Sequence, residues 1–238
     1  MTSALKHIDY LRPERTIAYM TFLTTLFDFV LHIDQHMVNI VNTFGGWTYG
    51  ILFLIVLVET GAVILPFLPG DSLLFAAAAL AANPDYHLSI LVFIVIFLAA
   101  AIGGDSLNFF IGRHVGVALT KNKLFGRVFS QQRLNEAHGF FEKHGAMAIF
   151  LARFMPIIRT LAPFVAATSD YDYKSFIKYN VAAAICWVGL CCAGGFFFGN
   201  IGFVKDHFSL VVIGIIVVSM IPASVGFLKG RKAPAGEE

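Results

Sequence analysis

Polar residues recur at Thr21, Thr25, Asp28, His32, Gln35 and Asn39 in steps of three or four, against an apolar background. That spacing draws one polar stripe along a helix. It predicts an amphipathic helix over residues 16–41 lying in the membrane interface; a true span with a wet face toward the rest of the protein fits the same pattern. From Trp47 to Leu65 the chain is apolar enough for a first span, with Trp47 and Tyr49 at its start, where interfacial aromatics belong. Pro66, Pro69, Gly70 and Asp71 then stop the helix. The next apolar run, Ser72 to Ala82, is only 11 residues long. At about 1.5 Å per residue it reaches roughly half-way through a bilayer, and it predicts one arm of a re-entrant hairpin near 66–82.

A second span runs from Leu88 to Ile111, its apolar run interrupted by Gly103-Gly104-Asp105. Residues 112–144 form a polar, basic connection, in which Ser130 is placed to cap a short helix carrying Leu134, Ala137 and Phe141 on one face. Gly145 to Thr168 is apolar again but contains Arg153, Pro156, Arg159 and Pro163, which predicts a second re-entrant hairpin near 146–168. Phe176–Phe198 and Phe208–Phe227 read as ordinary spans, and a short charged tail follows from residue 229.

Composition supports a membrane setting. Of the 238 residues, 58% are hydrophobic and 13% charged, with 25 Phe and a mean hydropathy of +0.76. A soluble domain is roughly 45–50% apolar and about 25% charged, so a cytosolic enzyme and a disordered chain are both excluded. The 17 basic residues barely exceed the 15 acidic ones, which gives no reason to expect nucleic-acid binding. Cys186, Cys191 and Cys192 all lie in one apolar run and read as small packing residues, not as a disulfide framework or a metal site. No small-x-small site follows the first apolar stretch, so a cleavable signal peptide is not expected.

Charge asymmetry orients the spans. With both hairpins re-entrant, the inside receives Lys6, Arg12, Arg15, Arg113, Lys121, Lys123, Arg127, Arg133, Lys143, Lys174, Lys178, Lys229, Arg231 and Lys232. Only Lys205 falls outside, while Arg153 and Arg159 lie at membrane depth. A complete crossing over 66–82 would instead turn the basic central connection outward. The expected fold is therefore an all-α polytopic membrane protein with about four transmembrane helices, two facing re-entrant hairpins, an N-terminal interfacial amphipathic helix and both termini cytoplasmic. Residues 1–46 form the N-terminal arm, 47–228 the membrane domain and 229–238 the cytoplasmic tail.

Five ionisable residues sit at membrane depth: Glu59, Asp71, Asp105, Arg153 and Arg159. Each would cost roughly 2.5–3.5 kcal/mol facing lipid at the centre of a span, so they must face one another, backbone dipoles or a wet cavity. Both hairpins break where these charges lie. An unwound turn at Pro156 can bring the guanidinium groups of Arg153 and Arg159 to one site, and two planar, permanently charged forks beside a broken helix suit a phosphate. Glu59 and Asp71, withdrawn from water, are suited to exchanging protons near neutral pH. An ion-pair network that only fixes the fold is the competing reading.

The run Glu59-x6-Pro66-x2-Pro69-Gly70-Asp71-Ser72-Leu73-Leu74 resembles the first signature of the DedA family. Phe141-Glu142-Lys143-His144-Gly145, followed by Ala152-Arg153-Phe154-x-Pro156-x2-Arg159-Thr160-x2-Pro163, resembles the second. Gly104-Asp105-x2-Asn108-x2-Ile111-Gly112-Arg113 fits between them, and Asn180 and Trp187 match the span that follows. The resemblance covers roughly residues 16–228. It implies a bacterial inner-membrane protein related to the VTT-domain lipid scramblases, with facing hairpins and links to proton-motive force, envelope homeostasis and recycling of undecaprenyl phosphate. Matched by position, the family's essential acids fall on Glu59 and Asp71 and its essential arginines on Arg153 and Arg159. Pro66, Pro69, Gly70, Asp105, Pro156 and Pro163 are expected to support them. Ala166-Ala167 departs from the family's usual Ala-Gly, and the lost glycine is expected to tighten the hairpin tip.

The leading expectation is a proton-coupled flippase for a phosphate-bearing polyprenyl lipid. Arg153 and Arg159 would hold the phosphate, and Glu59 and Asp71 would carry protons. A less selective phospholipid scramblase, a proton-coupled ion antiporter and a non-transporting scaffold are the alternatives; a cation site gains nothing from two arginines. No nucleophile–base pair, metal site or cofactor motif is visible, so the chain reads as a non-enzyme with no cofactor. Its expected partners are a lipid phosphate, protons and membrane lipids, and a monomer and a homo-oligomer fit equally well. Asp28, His32 and His36 fall on one helix face without a fourth ligand and read as polar surface. His138 and His144 read as solvated, and Gly194, Gly195 and Gly199 as close helix packing.

Overall fold

A computed structural model of the chain describes residues 33–61, 70–120, 144–168 and 171–202, and singly 139, 141, 204, 207, 210, 211 and 214. These residues form α1 (Ile33–Phe44), α2 (Thr48–Gly61), α3 (Gly70–Ala81), α4 (Ile90–Thr120), α5 (Met147–Ala152), α6 (Pro156–Thr168) and α7 (Tyr173–Phe198), with 3-10 turns at Gly45–Trp47 and Pro84–Tyr86. No strand occurs among them. Pro66 and Pro69, most of the central basic connection, most of the span read over 208–227, the start of the amphipathic helix and the tail lie outside the described residues.

The outer faces of the long helices carry Leu54, Val58, Leu91, Val95, Leu107, Phe110, Ile185 and Leu190, all exposed. Water would not tolerate so continuous an apolar surface, whereas lipid requires it. By length and composition, Gln35–Gly61, Ile90–His114 and Tyr173–Phe198 are each able to cross a membrane. The first is divided at Gly45, whose φ of 50° is a conformation glycine adopts without strain.

α2 meets the chain that follows it at both ends. At one end, Gly70 of α3 lies against the carboxylate of Glu59 in α2. At the other, the Ser89 N–H immediately before α4 donates to Tyr49 Oη at the start of α2 (2.7 Å), and the Tyr49 ring packs on Phe93 at 4.7 Å. The chain thus enters and leaves on the same side. α1 packs along α3, and Ile33 and Met37 share one core with Leu52, Val56, Leu73 and Phe93. Its polar positions Gln35 and Asn39 remain exposed. The described end of the expected interfacial helix is therefore a packed part of the membrane core.

From that side α4 runs on without a break through Gly103-Gly104-Asp105. The glycines serve packing: a methyl on Gly104 would overlap the hydroxyl of Thr60, which bonds the Val56 carbonyl at 2.8 Å and lies 3.3 Å from that of Ala100. The second broken segment is α5 and α6. Its helix lapses over Arg153–Met155 and restarts at Pro156, a first-turn position that needs no N–H. Pro163 lies inside α6 without ending it. It removes the N–H that would have met the Arg159 carbonyl; one residue on, the Thr160 carbonyl accepts from Asn108 Nδ2 (2.9 Å), which ties α6 to α4. Ala166 and Ala167 are not at a hairpin tip. They are buried in the last turns of α6, where Ala167 faces Gly112 of α4.

α7 returns antiparallel to α4, capped by Asp172, which accepts from the Ser175 N–H (3.1 Å). Gly195 meets the backbone carbonyl of Phe75 and Gly199 meets Ala79, the close small-residue crossing expected of these glycines. Gly195→Ala should therefore lower the melting temperature, because the clashing atom is backbone and cannot swing away; overpacking of this kind costs about 1–3 kcal/mol. Gly189→Ala on the same helix, where nothing lies within 4 Å, should leave it equal or higher. A thermal melt of the two variants side by side checks this.

Candidate functional site

The two hairpin breaks and the middle of α7 converge on one buried polar cluster. Arg159, one turn into α6, reaches across to α2 and α3. Its Nη2 donates to Glu59 Oε1 at 3.3 Å, and its Nη1 to Asp71 Oδ1 at 3.2 Å. Arg153, in the unwound link, donates through Nη1 to both Asp105 Oδ2 (2.7 Å) and Asn180 Oδ1 (2.8 Å). Glu59, Asp105, Arg153 and Asn180 are buried, while Asp71 and Arg159 are half-buried. Glu59 is carried by the end of α2 and Asp71 by the first turn of α3. Gly70 must lack a side chain because a methyl there would occupy the position of the Glu59 carboxylate.

Trp187 joins the two ion pairs. Its Nε1 donates to Asp71 Oδ1 at 2.7 Å. The guanidinium of Arg159 lies 4.4 Å from the centre of the ring and that of Arg153 5.3 Å, each within cation–π range. Asn180 and Trp187 are seven residues apart on α7 and so share one face of the helix. Both are site residues to which the sequence reading gave no role. The available signal was their depth: Trp187 lies well inside an apolar span, away from the interface where tryptophan is expected.

Of the expected site residues, the structure gathers Glu59, Asp71, Gly70, Asp105, Arg153 and Arg159, with Pro156 starting α6 beside the break and Pro163 in the next turns. It does not leave the arginines as two open forks facing one ligand. Each is engaged by carboxylate, Arg159 by two and Arg153 by one. Three acids against two arginines leave the cluster one negative charge in excess when all are ionised. A crevice lined by Asp105, Arg153, Arg159, Pro163, Phe176 and Asn180 opens beside it.

Apolar helices too short to cross, broken at buried charges and flanked by long apolar helices, define a multi-pass membrane protein. Residues 68–197 match the family model described as the VTT domain. The chain is 46% identical to Protein DedA of Escherichia coli strain K12 over 216 residues, 91% of this chain and 98% of that one. It is 38% identical to an uncharacterized membrane protein of Mycobacterium tuberculosis strain H37Rv, covering 81% of this chain and 84% of the other. It is 30% identical to the Inner membrane protein YghB of E. coli K12, over 84% and 87% of the two chains. The chain belongs to the VTT-domain, or DedA, family of membrane proteins. No solved structure matches it.

Proposed function

We propose that the protein is a proton-coupled flippase, not an enzyme, which moves a phosphate-bearing polyprenyl lipid, undecaprenyl phosphate, across the bacterial inner membrane and so supports the envelope. The observation that carries this reading is the shared position of Arg159 between Glu59 and Asp71. A proton on either acid weakens its hold on the guanidinium, which is then free to meet a phosphate. When the proton leaves, the carboxylate competes for the arginine and the phosphate is released. Arg153 and Arg159 hold the head group, Glu59 and Asp71 carry the protons, and the lipid tail stays in the bilayer. The excess of one acid over the arginines favours coupling, because an added anion raises the negative charge unless protons accompany it. The basic central connection and both termini face the cytoplasm in this scheme.

A cation antiporter is the weaker reading, since a cation entering the cluster would face two guanidinium groups. A scramblase with low selectivity differs in its choice of lipid, and the experiment separates the two. Purified protein in liposomes should flip undecaprenyl phosphate faster than phosphatidylglycerol and faster still with a proton gradient. Equal rates for both lipids would support the scramblase, and no flipping of either would refute transport.

A further inference from the structure

We infer that Arg153 and Asn180 form the resting subsite for the phosphate, distinct from the proton-gated contact at Arg159; this rests on the phosphate-lipid reading above. Arg153 spends a single nitrogen on its partners, since both Asp105 and Asn180 accept from Nη1. Its Nε and Nη2 are buried and have no hydrogen-bond partner among the described residues, and neither has Nδ2 of Asn180. The Arg153 side chain is 3% exposed and Asn180 1%. Three buried donors left unmet in one place are costly unless something meets them.

Nε and Nη2 form the side edge of a guanidinium, two parallel N–H groups spaced to meet two oxygens of one phosphate. Asn180 holds its Oδ1 2.8 Å from the same guanidinium, which keeps its free amide nitrogen beside the fork. Both residues line the crevice at the second hairpin. Asp105 lines it too, but its Oδ2 is already bonded to Arg153 Nη1, so the donors of the opposite edge remain. Arg159 differs: its two terminal nitrogens are each committed to a carboxylate. A phosphate that reaches the side edge of Arg153 as the crevice widens breaks no ion pair, and engages Arg159 only after Glu59 or Asp71 has taken a proton.

The test uses the full-length protein in nanodiscs at pH 8, where the acids hold Arg159 most firmly. The chain has two tryptophans, so a Trp47→Phe background leaves Trp187 as the reporter. Undecaprenyl phosphate should change its fluorescence on binding, undecaprenol should not, and inorganic phosphate should compete if the head group alone is recognised. Arg153→Lys keeps the charge for Asp105 but lacks the side edge, and Asn180→Asp, made beside Asn180→Ser as the neutral control that also lacks the amide donor, keeps the acceptor for Nη1 but loses the free donor. Each should weaken binding about tenfold or more, as for loss of a charge-assisted hydrogen bond, with melting temperatures near that of the parent. Arg159→Lys should weaken binding less than Arg153→Lys at this pH. Binding unaltered in both Arg153→Lys and Asn180→Asp, or a larger loss in Arg159→Lys, would overturn the subsite while leaving the phosphate reading intact. No binding by the parent would overturn both.

Discussion

Glu59→Gln and Asp71→Asn should each reduce transport of undecaprenyl phosphate to the rate of protein-free liposomes while the protein still inserts and folds. Glutamine and asparagine keep the shape and one oxygen acceptor of the acids they replace. Asp71→Asn retains an oxygen for Trp187 Nε1 and Arg159 Nη1, and Glu59→Gln one for Arg159 Nη2. What is lost is the ability to alternate between carboxylate and carboxylic acid. A neutral amide at either position fixes the competition for Arg159 in one state, so binding survives and turnover stops. Binding and flipping measured on the same preparations check this split. Wild-type flipping in both variants would remove proton exchange from the mechanism.

Arg159→Ala should have the largest effect on stability. It leaves Glu59 and Asp71 facing one another without their shared cation, and removing one partner of a buried ion pair costs about 3–5 kcal/mol. The sign of its pH dependence follows: protonating the acids relieves their repulsion, so the melting-temperature deficit against wild type should be greatest at high pH and shrink as pH falls. Arg159→Lys restores a charge but not the fork that meets two carboxylates at once. It should recover most of the melting temperature and little of the flipping. If lysine restores both, Arg159 serves only to neutralise its acids, and the cluster is a structural ion-pair network. Melts across pH, beside flipping assays, separate these results.

The charged residues and helix breaks were legible in the sequence because both are local. A proline and a glycine next to an acid stop a helix wherever they occur, and an ionisable residue in an apolar run must find a partner. Which partner it finds is not local. Arg159 meets Glu59 across 100 positions and Asp71 across 88, and nothing in the spacing distinguishes that pairing from two arginines open to one phosphate. The placing of α2 beside the start of α4 is non-local for a related reason. Residues 47–65 are apolar apart from Thr48, Glu59 and Thr60, and hydropathy does not reveal that Tyr49 meets Ser89 forty positions on. The unwound turn was legible at Pro156, but that α6 runs on through Pro163 and is tied to α4 by Asn108 was not. Trp187 and Asn180 gained their roles only through packing, since each is an ordinary residue of an apolar helix until the arginines lie against it.

The claim that a phosphate and protons share this cluster is tested most directly by counting protons during binding. Calorimetric titration of undecaprenyl phosphate into the protein, in two buffers of different ionisation enthalpy at one pH, gives the number taken up. Net uptake is expected in wild type, so affinity should fall as pH rises, and the uptake should diminish in Glu59→Gln. Binding with no net uptake at any pH, or with proton release, would contradict the account.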